Sequence, residues 1–251
     1  MFDPQNALER ALVAAATDPA ARPQFYRELV AANLFVIQEG PPPASPRAFT
    51  AEAGFELKIR HVELRGRSWM PVFSSLPRLQ AFLDHEAGYL GMNALELMKI
   101  TRGASLLLNA ASEYGKELLP EEIESILDGS IWRPRSPHVL ERDTKVLLGQ
   151  PSRPPQELVA VLRRVFARHK DVKKAYLAHF VNPSEDGKPH TLIAIEASAN
   201  HDRIVSEAML AANAITVPDP PVDFTLLPNP GFDSYFRSVR PFYRRKRFGL
   251  F

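Results

Sequence analysis

Apolar and polar positions between Lys145 and Leu227 switch repeatedly between strand-like and helix-like spacing. Short apolar runs predict strands at 145–149, 175–181, 191–196 and 222–227. Two helical stretches separate them, one beginning at Pro154-Pro155 and one running from about Asp202 to Ile215. In the first, the apolar residues recur at helical spacing: Leu158, Val161, Leu162, Val165 and Phe166. This order predicts a ferredoxin-like βαββαβ unit, an antiparallel sheet with both helices on one face.

The first half of the chain mixes helical and strand patterns in a different order. Apolar residues at helical spacing predict helices at about 4–16 and 22–32, and a third helix that carries Leu79, Phe82 and Leu83. Two more are predicted, one after Asn93 that continues through Ile100 and one that opens at Pro120 and stops at Gly129. Strands are predicted at 34–37 and 104–109. The alternation from Phe55 to Arg60 and the run from Trp69 to Phe73 flank an Arg65-Gly66-Arg67 turn, which predicts a hairpin. Ser74 or Ser75 and Asn93 are expected to cap the helices that follow them.

These patterns predict two domains of α/β type, in the α+β sense. The segment Arg133-Pro134-Arg135-Ser136-Pro137 breaks regular structure and predicts a linker. We therefore expect a mixed α/β domain at 1–132, a linker at 133–144, and the ferredoxin-like domain with a basic, aromatic tail at 145–251.

Composition limits the class of protein. The chain has 251 residues, 45% hydrophobic and 24% charged, which is typical of a globular protein. Cysteine is absent, which excludes disulfides, thiolate metal sites and cysteine nucleophiles. No apolar run approaches the roughly 18 residues of a membrane span, and Met1 to Gln5 do not begin a secretory signal pattern. A cytoplasmic location without membrane association is the expectation.

Charge is distributed unevenly along the chain. The net charge is +2, yet residues 237–251 contain six cations and no acid, so residues 1–236 carry about −4. The basicity therefore belongs to the end of the chain, where aromatic residues interleave with the cations. Pro241 to Tyr243 is expected to pack against the domain and Arg244 to Phe251 to be exposed.

Several stretches, taken in order, are similar to one known family. In the first half they are Phe35-Val36-Ile37, Phe73-Ser74-Ser75, Leu106-Leu107-Leu108-Asn109, Ser112-x-Tyr114-Gly115-Lys116-Glu117-Leu118 and Pro120-Glu121-Glu122-Ile123. In the second half they are Gly149-Gln150-Pro151, Ala175-Tyr176-Leu177 and Pro241-Phe242-Tyr243. Together they resemble the N-terminal and C-terminal domains of the SseB family, named for enhanced sensitivity of bacteria to serine. The resemblance implies no enzymatic activity and supplies no catalytic residues.

Standard catalytic signatures are missing from the sequence. It contains no G-x-S-x-G, G-x-x-x-x-G-K-[ST] or H-E-x-x-H pattern. His179, His190 and His201 are evenly spaced and could converge, but their spacing matches no compact metal motif, so solvated or capping histidines are expected. We predict a protein that is not an enzyme and has no catalytic residue, metal site or cofactor.

Three binding hypotheses follow. The first is a regulatory or adaptor protein that contacts a protein partner and alters serine sensitivity. Its contact residues would lie in the tail: Arg240, Phe242, Tyr243, Arg244, Arg245, Lys246, Arg247 and Phe248. The second is an amino-acid (serine) sensor that binds its ligand at Gly149 and Gln150, by analogy with ACT-type domains. The third is nucleic-acid binding by the tail, where cations would meet phosphates and aromatics would stack on bases.

Overall fold

The structure, a computed structural model, describes residues 2–40, 58–133, 146–183 and 187–245. Its contacts divide the chain into two compact units, one of Met1–Thr17 and Gln24–Ser130, the other of Asp18–Pro23 and Ile131–Phe251. Each unit has helices and its own sheet, so the predicted α+β class is confirmed. Residues 134–144 of the predicted linker lie outside the described residues. No helix in the described part of the chain is long and apolar enough to cross a membrane.

The first unit is built from five helices and six strands among the described residues. The helices are α1 Ala7–Thr17, α2 Arg22–Ala31, α3 Leu76–Phe82, α4 Ala94–Ile100 and α5 Pro120–Leu127. The strands are β1 Asn33–Ile37, β2 Val62–Leu64, β3 Arg67–Phe73, β4 Tyr89–Asn93, β5 Leu106–Leu108 and β6 Lys116–Leu118. The sheet order is β4-β1-β3-β5-β6, with β2 also paired to β3. Five consecutive residues of β3, Trp69 to Phe73, are buried, as expected for a central strand covered on both faces.

The predicted hairpin exists, but its first strand is shorter and later than expected. β2 pairs with β3 across Arg65 and Gly66, both with positive φ, as a two-residue hairpin turn requires. Of the predicted strand at 55–60, residues 55–57 lie outside the described residues, and Ile59 forms an isolated bridge with Gln38. The turn at Arg65 and Gly66 is therefore the confirmed part of the predicted hairpin.

The two predicted caps behave differently. The Asn93 side chain accepts a hydrogen bond from the Leu95 amide (2.9 Å), so the predicted cap of α4 is confirmed. Ser75 occupies the capping position of α3, but its hydroxyl makes no capping hydrogen bond and donates to Glu9 instead (2.9 Å).

The second unit begins with the predicted succession of elements and adds two that were not expected. Its elements are β7 Leu147–Gly149, α6 Gln156–Arg168, β8 Val172–Val181, β9 Pro189–Ala197, α7 His201–Ala212, β10 Val222–Leu227, α8 Asp233–Phe236 and β11 Tyr243–Arg244. The five apolar residues predicted on the first helix are all buried. They form one core with the residues of α7 and with the sheet residues Ala175, Leu177, Ile193 and Ile195, so both helices cover the same face.

The ferredoxin-like detail of the prediction is not confirmed. The strand order is β10-β9-β8-β11, and β7 also pairs with β8. In a ferredoxin-like unit, the two strands of each βαβ half are parallel and separated by an intervening strand. Here β9 and β10 are direct neighbours and parallel, whereas β7 and β8 are antiparallel. The order of elements along the chain does not distinguish these arrangements, because both bury the same apolar faces.

The second face of this sheet is covered by the segment after β10. Tyr176, Ala178, Leu192 and Ala194 project from this face and form a second core with Leu227 and Phe236. Phe236 belongs to α8, a single turn whose four residues carry too short a pattern for sequence-based prediction. Beside this second core the sheet is only partly covered, and a cleft remains.

Candidate functional site

The cleft contains two consecutive lysines because β8 has a bulge. Val172 pairs with Ala197 and Lys174 with Glu196, so Lys173 is an extra residue in the ladder. Consecutive strand residues normally project to opposite faces, and a bulge changes the direction of a side chain. Lys173 and Lys174 both line the cleft.

The floor of the cleft is a hydrogen-bonded network. The Tyr176 hydroxyl donates to Glu196 Oε1 (2.6 Å), and Lys174 Nζ lies 3.1 Å from the same carboxylate. Burial, together with the adjacent Glu196 carboxylate, raises the pKa of Tyr176 above its usual value. The hydrogen bond to Glu196 likewise raises the pKa of Lys174. Tyrosine is thus held neutral and lysine charged, and Glu196 already balances the Lys174 charge.

Three other cations surround this network. Lys173, Arg237 and Arg244 are exposed and line the cleft, and the described residues include no ion-pair partner for them. Arg244 lies directly opposite Lys174 on the neighbouring strand. Like charges directly opposite each other on neighbouring strands are destabilising. Because Glu196 already pairs with Lys174, an anion beside Arg244 would relieve the repulsion that remains.

The remaining walls are mainly apolar. The apolar lining residues are Ala197, Leu227, Pro228, Phe236, Val239 and Pro241, and Asp233 is the second acid beside Glu196. The cleft volume is about 490 Å³, within the range of sites that bind small ligands or short segments. Among the lining residues that the structure describes, four are cationic and two are acidic, so their net charge is positive. The site can therefore bind an anionic group attached to a small apolar one.

Sequence-based prediction missed most of this site. Of its cations, only Arg244 was singled out, as part of the tail. Tyr176 entered only through the family resemblance. The basic character of Lys173-Lys174 is visible in the sequence, but nothing in the pattern marks a bulge. Arg237 becomes relevant only once α8 is placed against the sheet.

The predicted amino-acid site, Gly149 and Gln150, lies at the end of β7. Gly149 lies in the β7–β8 ladder opposite His179. The Gln150 side-chain amide donates to the Leu177 carbonyl (3.0 Å) and to the Tyr235 hydroxyl (2.8 Å). Gln150 thus extends the hydrogen bonding of the sheet edge beyond β7, and its side-chain NH₂ group is used within the protein.

The described tail residues divide into a packed and an exposed group. Phe242 and Tyr243 pack against the helical core beside Phe166, whose carbonyl accepts from the Tyr243 hydroxyl (3.2 Å). Arg240 and Arg244 are exposed, and the Arg245 amide donates to the Lys173 carbonyl (2.9 Å). Lys246, Arg247 and Phe248 lie outside the described residues. The aromatic part therefore fixes β11 in the sheet and positions Arg244 at the cleft.

The three histidines do not converge. His179 pairs with Thr191 and Phe180 with His190, so His179 and His190 project from opposite faces of the sheet. Each contacts its own carboxylate, Asp219 at 3.0 Å and Asp223 at 3.2 Å. His201 contacts the Ala197 carbonyl. Within the described ranges, no group of three histidine or acidic residues is arranged to hold a metal ion.

A second polar cluster lies in the first unit, where Glu9 is fully buried. Its carboxylate accepts from the hydroxyls of Ser74 (2.7 Å) and Ser75 (2.9 Å), from the Gln5 amide (2.9 Å), and from Arg78 (2.9 Å). Burial raises the pKa of Glu9, but these hydrogen bonds, led by that of Arg78, outweigh burial and leave it below its usual value. Both carboxylate oxygens accept hydrogen bonds from groups of the protein itself, so we interpret the cluster as structural.

Comparisons with known proteins agree for both units. Residues 8–125 match the model of the SseB protein N-terminal domain, and residues 140–245 that of the SseB protein C-terminal domain. The chain is 30% identical to Protein SseB of Escherichia coli (strain K12), over 98% of this chain and 95% of that protein. Protein SseB of Shigella flexneri matches with the same identity and coverage. No solved structure gives a significant match.

Proposed function

Since the chain belongs to the SseB family, we propose that it is a regulatory or adaptor protein without enzymatic turnover, which alters serine sensitivity through contacts with a protein partner. The observation that carries this proposal is the cationic cleft of the second unit. Its exposed cations Lys173, Arg237 and Arg244 surround an apolar wall. Protein interfaces commonly combine an apolar centre with a charged rim, and arginine is enriched in them.

Electrostatics support a contact role at this place. The unbalanced cations form a local positive patch on a chain whose residues 1–236 are net acidic. Such a patch attracts an acidic partner surface and rejects basic ones. A cytoplasmic location is part of the same proposal.

The test compares charge-reversed variants in an affinity capture followed by mass spectrometry. The cleft variant is Arg237→Glu with Arg244→Glu, and its control is Arg153→Glu with Lys170→Glu, two exposed cations of the same unit that do not line the cleft. We expect the cleft variant to lose a partner that the native protein and the control retain. If every captured protein survives in the cleft variant, the cleft is not the contact surface.

The link to serine is tested in cells with the same variants. In cells lacking the protein, we expect the native protein and the control variant to restore growth in medium with added L-serine. The cleft variant should fail to do so at equal protein level. Full restoration by the cleft variant would separate serine sensitivity from this surface.

A further inference from the structure

We infer that the cleft between β8, β9, α8 and β11 binds an acidic peptide segment that carries an aliphatic side chain. The inference rests on the proposed function and specifies the chemistry of the partner. Its starting point is that Arg237, Arg244 and Lys173 are exposed cations without an ion-pair partner among the described residues.

The arrangement of charge at the floor indicates where a carboxylate would bind. Arg244, Lys174 and Glu196 form a row across three neighbouring strands, because Lys174 pairs with both of the others. Glu196 balances Lys174 and leaves Arg244 uncompensated. A ligand carboxylate beside Arg244 would extend the row with alternating charge, and arginine can bind a carboxylate through two parallel hydrogen bonds.

The wall of the cleft favours a peptide over a nucleic acid. Single-stranded nucleic acids bind through exposed aromatic rings on which bases stack. Among the described residues, the aromatic ones that line the cleft are Tyr176 and Phe236, which are 5% and 2% exposed, so neither presents a ring face. An aliphatic side chain, by contrast, fits the wall formed by Val239, Pro228 and Pro241, whose side chains are partly or fully exposed.

Direct binding of synthetic probes tests the inference. The probe is fluorescein-labelled Gly-Asp-Glu-Leu-Asp-Glu-Gly, followed by fluorescence anisotropy at low and at physiological salt. The controls are the neutral Gly-Asn-Gln-Leu-Asn-Gln-Gly, the aliphatic-free Gly-Asp-Glu-Gly-Asp-Glu-Gly, and oligouridine RNA. We expect the acidic, leucine-containing peptide to bind at least tenfold more tightly than either control peptide, and more weakly as salt rises.

Variants of the cleft should change this affinity in opposite directions. Arg237→Gln and Arg244→Gln should each weaken binding about tenfold, the loss expected for one charge-assisted hydrogen bond. Glu196→Gln should strengthen it severalfold, because it releases Lys174 from its carboxylate. Arg153→Gln, remote from the cleft, should change nothing.

The results separate this inference from the proposed function. Any one of three results would overturn the acidic-peptide site. They are equal affinity for the neutral peptide, unchanged affinity in the two arginine variants, and binding of oligouridine in the cleft that is tighter than that of the acidic peptide. In each of these cases, cleft-dependent capture of a protein partner would still support the adaptor role. Conversely, peptide binding in the cleft without cleft-dependent capture would uphold the inference and reject the proposed function.

Discussion

Replacement of Glu9 by Gln should strongly destabilise the first unit. Glu9 is fully buried, and its carboxylate accepts hydrogen bonds from Gln5, Ser74, Ser75 and Arg78. Glutamine keeps the shape, but removes the charge and turns an NH₂ group toward donors. Breaking a buried ion pair costs about 3–5 kcal/mol, and a hydrogen bond to a charged group contributes about 1.5–3 kcal/mol. Because the Arg78 side chain keeps 17% of its surface exposed, we expect a loss of about 2–4 kcal/mol.

The loss should depend on pH in a definite direction. The pKa of Glu9 in the folded protein is lowered from its ordinary value of 4.5, so the folded state favours the ionised carboxylate. The stabilisation is therefore complete above about pH 4.5 and is lost as pH falls through the lowered folded value. The difference in unfolding free energy between native protein and Glu9→Gln should shrink over that acidic range. A difference that stays constant with pH would contradict ionisation as its origin.

Urea unfolding followed by Trp69 fluorescence measures the effect. Trp69 is buried in the first unit, and a Trp132→Phe background removes the other tryptophan. The control is Glu96→Gln, which breaks an exposed pair with Lys99 and should cost no more than about 0.5 kcal/mol. If Glu9→Gln costs no more than this control, the buried network does not stabilise the unit as argued.

Three further predictions concern packing and ligand binding. Gly115→Ala should lower the unfolding free energy by about 1–3 kcal/mol in thermal denaturation, because the new methyl group would lie 2.8 Å from the Leu108 carbonyl oxygen. Its control is Gly149→Ala, which has open space around it and should change stability by no more than about 0.5 kcal/mol. Phe166→Ala should lower the unfolding free energy of the second unit by about 3–5 kcal/mol in urea, since its fully buried ring contacts both Phe242 and Tyr243. A loss below about 1 kcal/mol would show that these ring contacts do not hold the tail against the core. Millimolar L-serine should leave the thermal midpoint unchanged; a rise of several degrees specific to serine-like amino acids would instead favour the sensor at Gly149 and Gln150.

The elements predicted well are those whose signal is local. The helix at 156–168 carries five apolar residues at helical spacing, and all five are buried. Asn93 was correctly predicted as a cap because capping involves an amide only two residues away. Such features are set by neighbours along the chain, which the sequence shows directly.

Long-range partners are the part that could not be predicted. Ser75 has the right position and chemistry for a cap, yet its hydroxyl donates to Glu9, 66 positions earlier. Nothing in the pattern of α1 indicates that Glu9 is turned inward between Leu8 and Ala11. The ferredoxin-like strand order could not be predicted for the same reason. That order would place β7 between β9 and β10, whereas β9 and β10 are direct neighbours, and both arrangements suit the same pattern of apolar and polar residues.

The cleft shows how a local irregularity can create a site that a regular pattern would hide. In an unbroken strand, Lys173 would project toward the helical core that Val172 and Ala175 occupy, where an unpaired charge is costly. With the bulge, Lys173 is exposed and lines the cleft together with Lys174. Two consecutive lysines that look in the sequence like a charged interruption of a strand thus supply two of the four cations among the described residues of the proposed binding surface. Deleting Lys173 removes the bulge and one cation but leaves the pairs Val172–Ala197 and Lys174–Glu196 in register, so peptide binding should weaken about as much as in Lys173→Ala, and a complete loss would show that the bulge itself shapes the site.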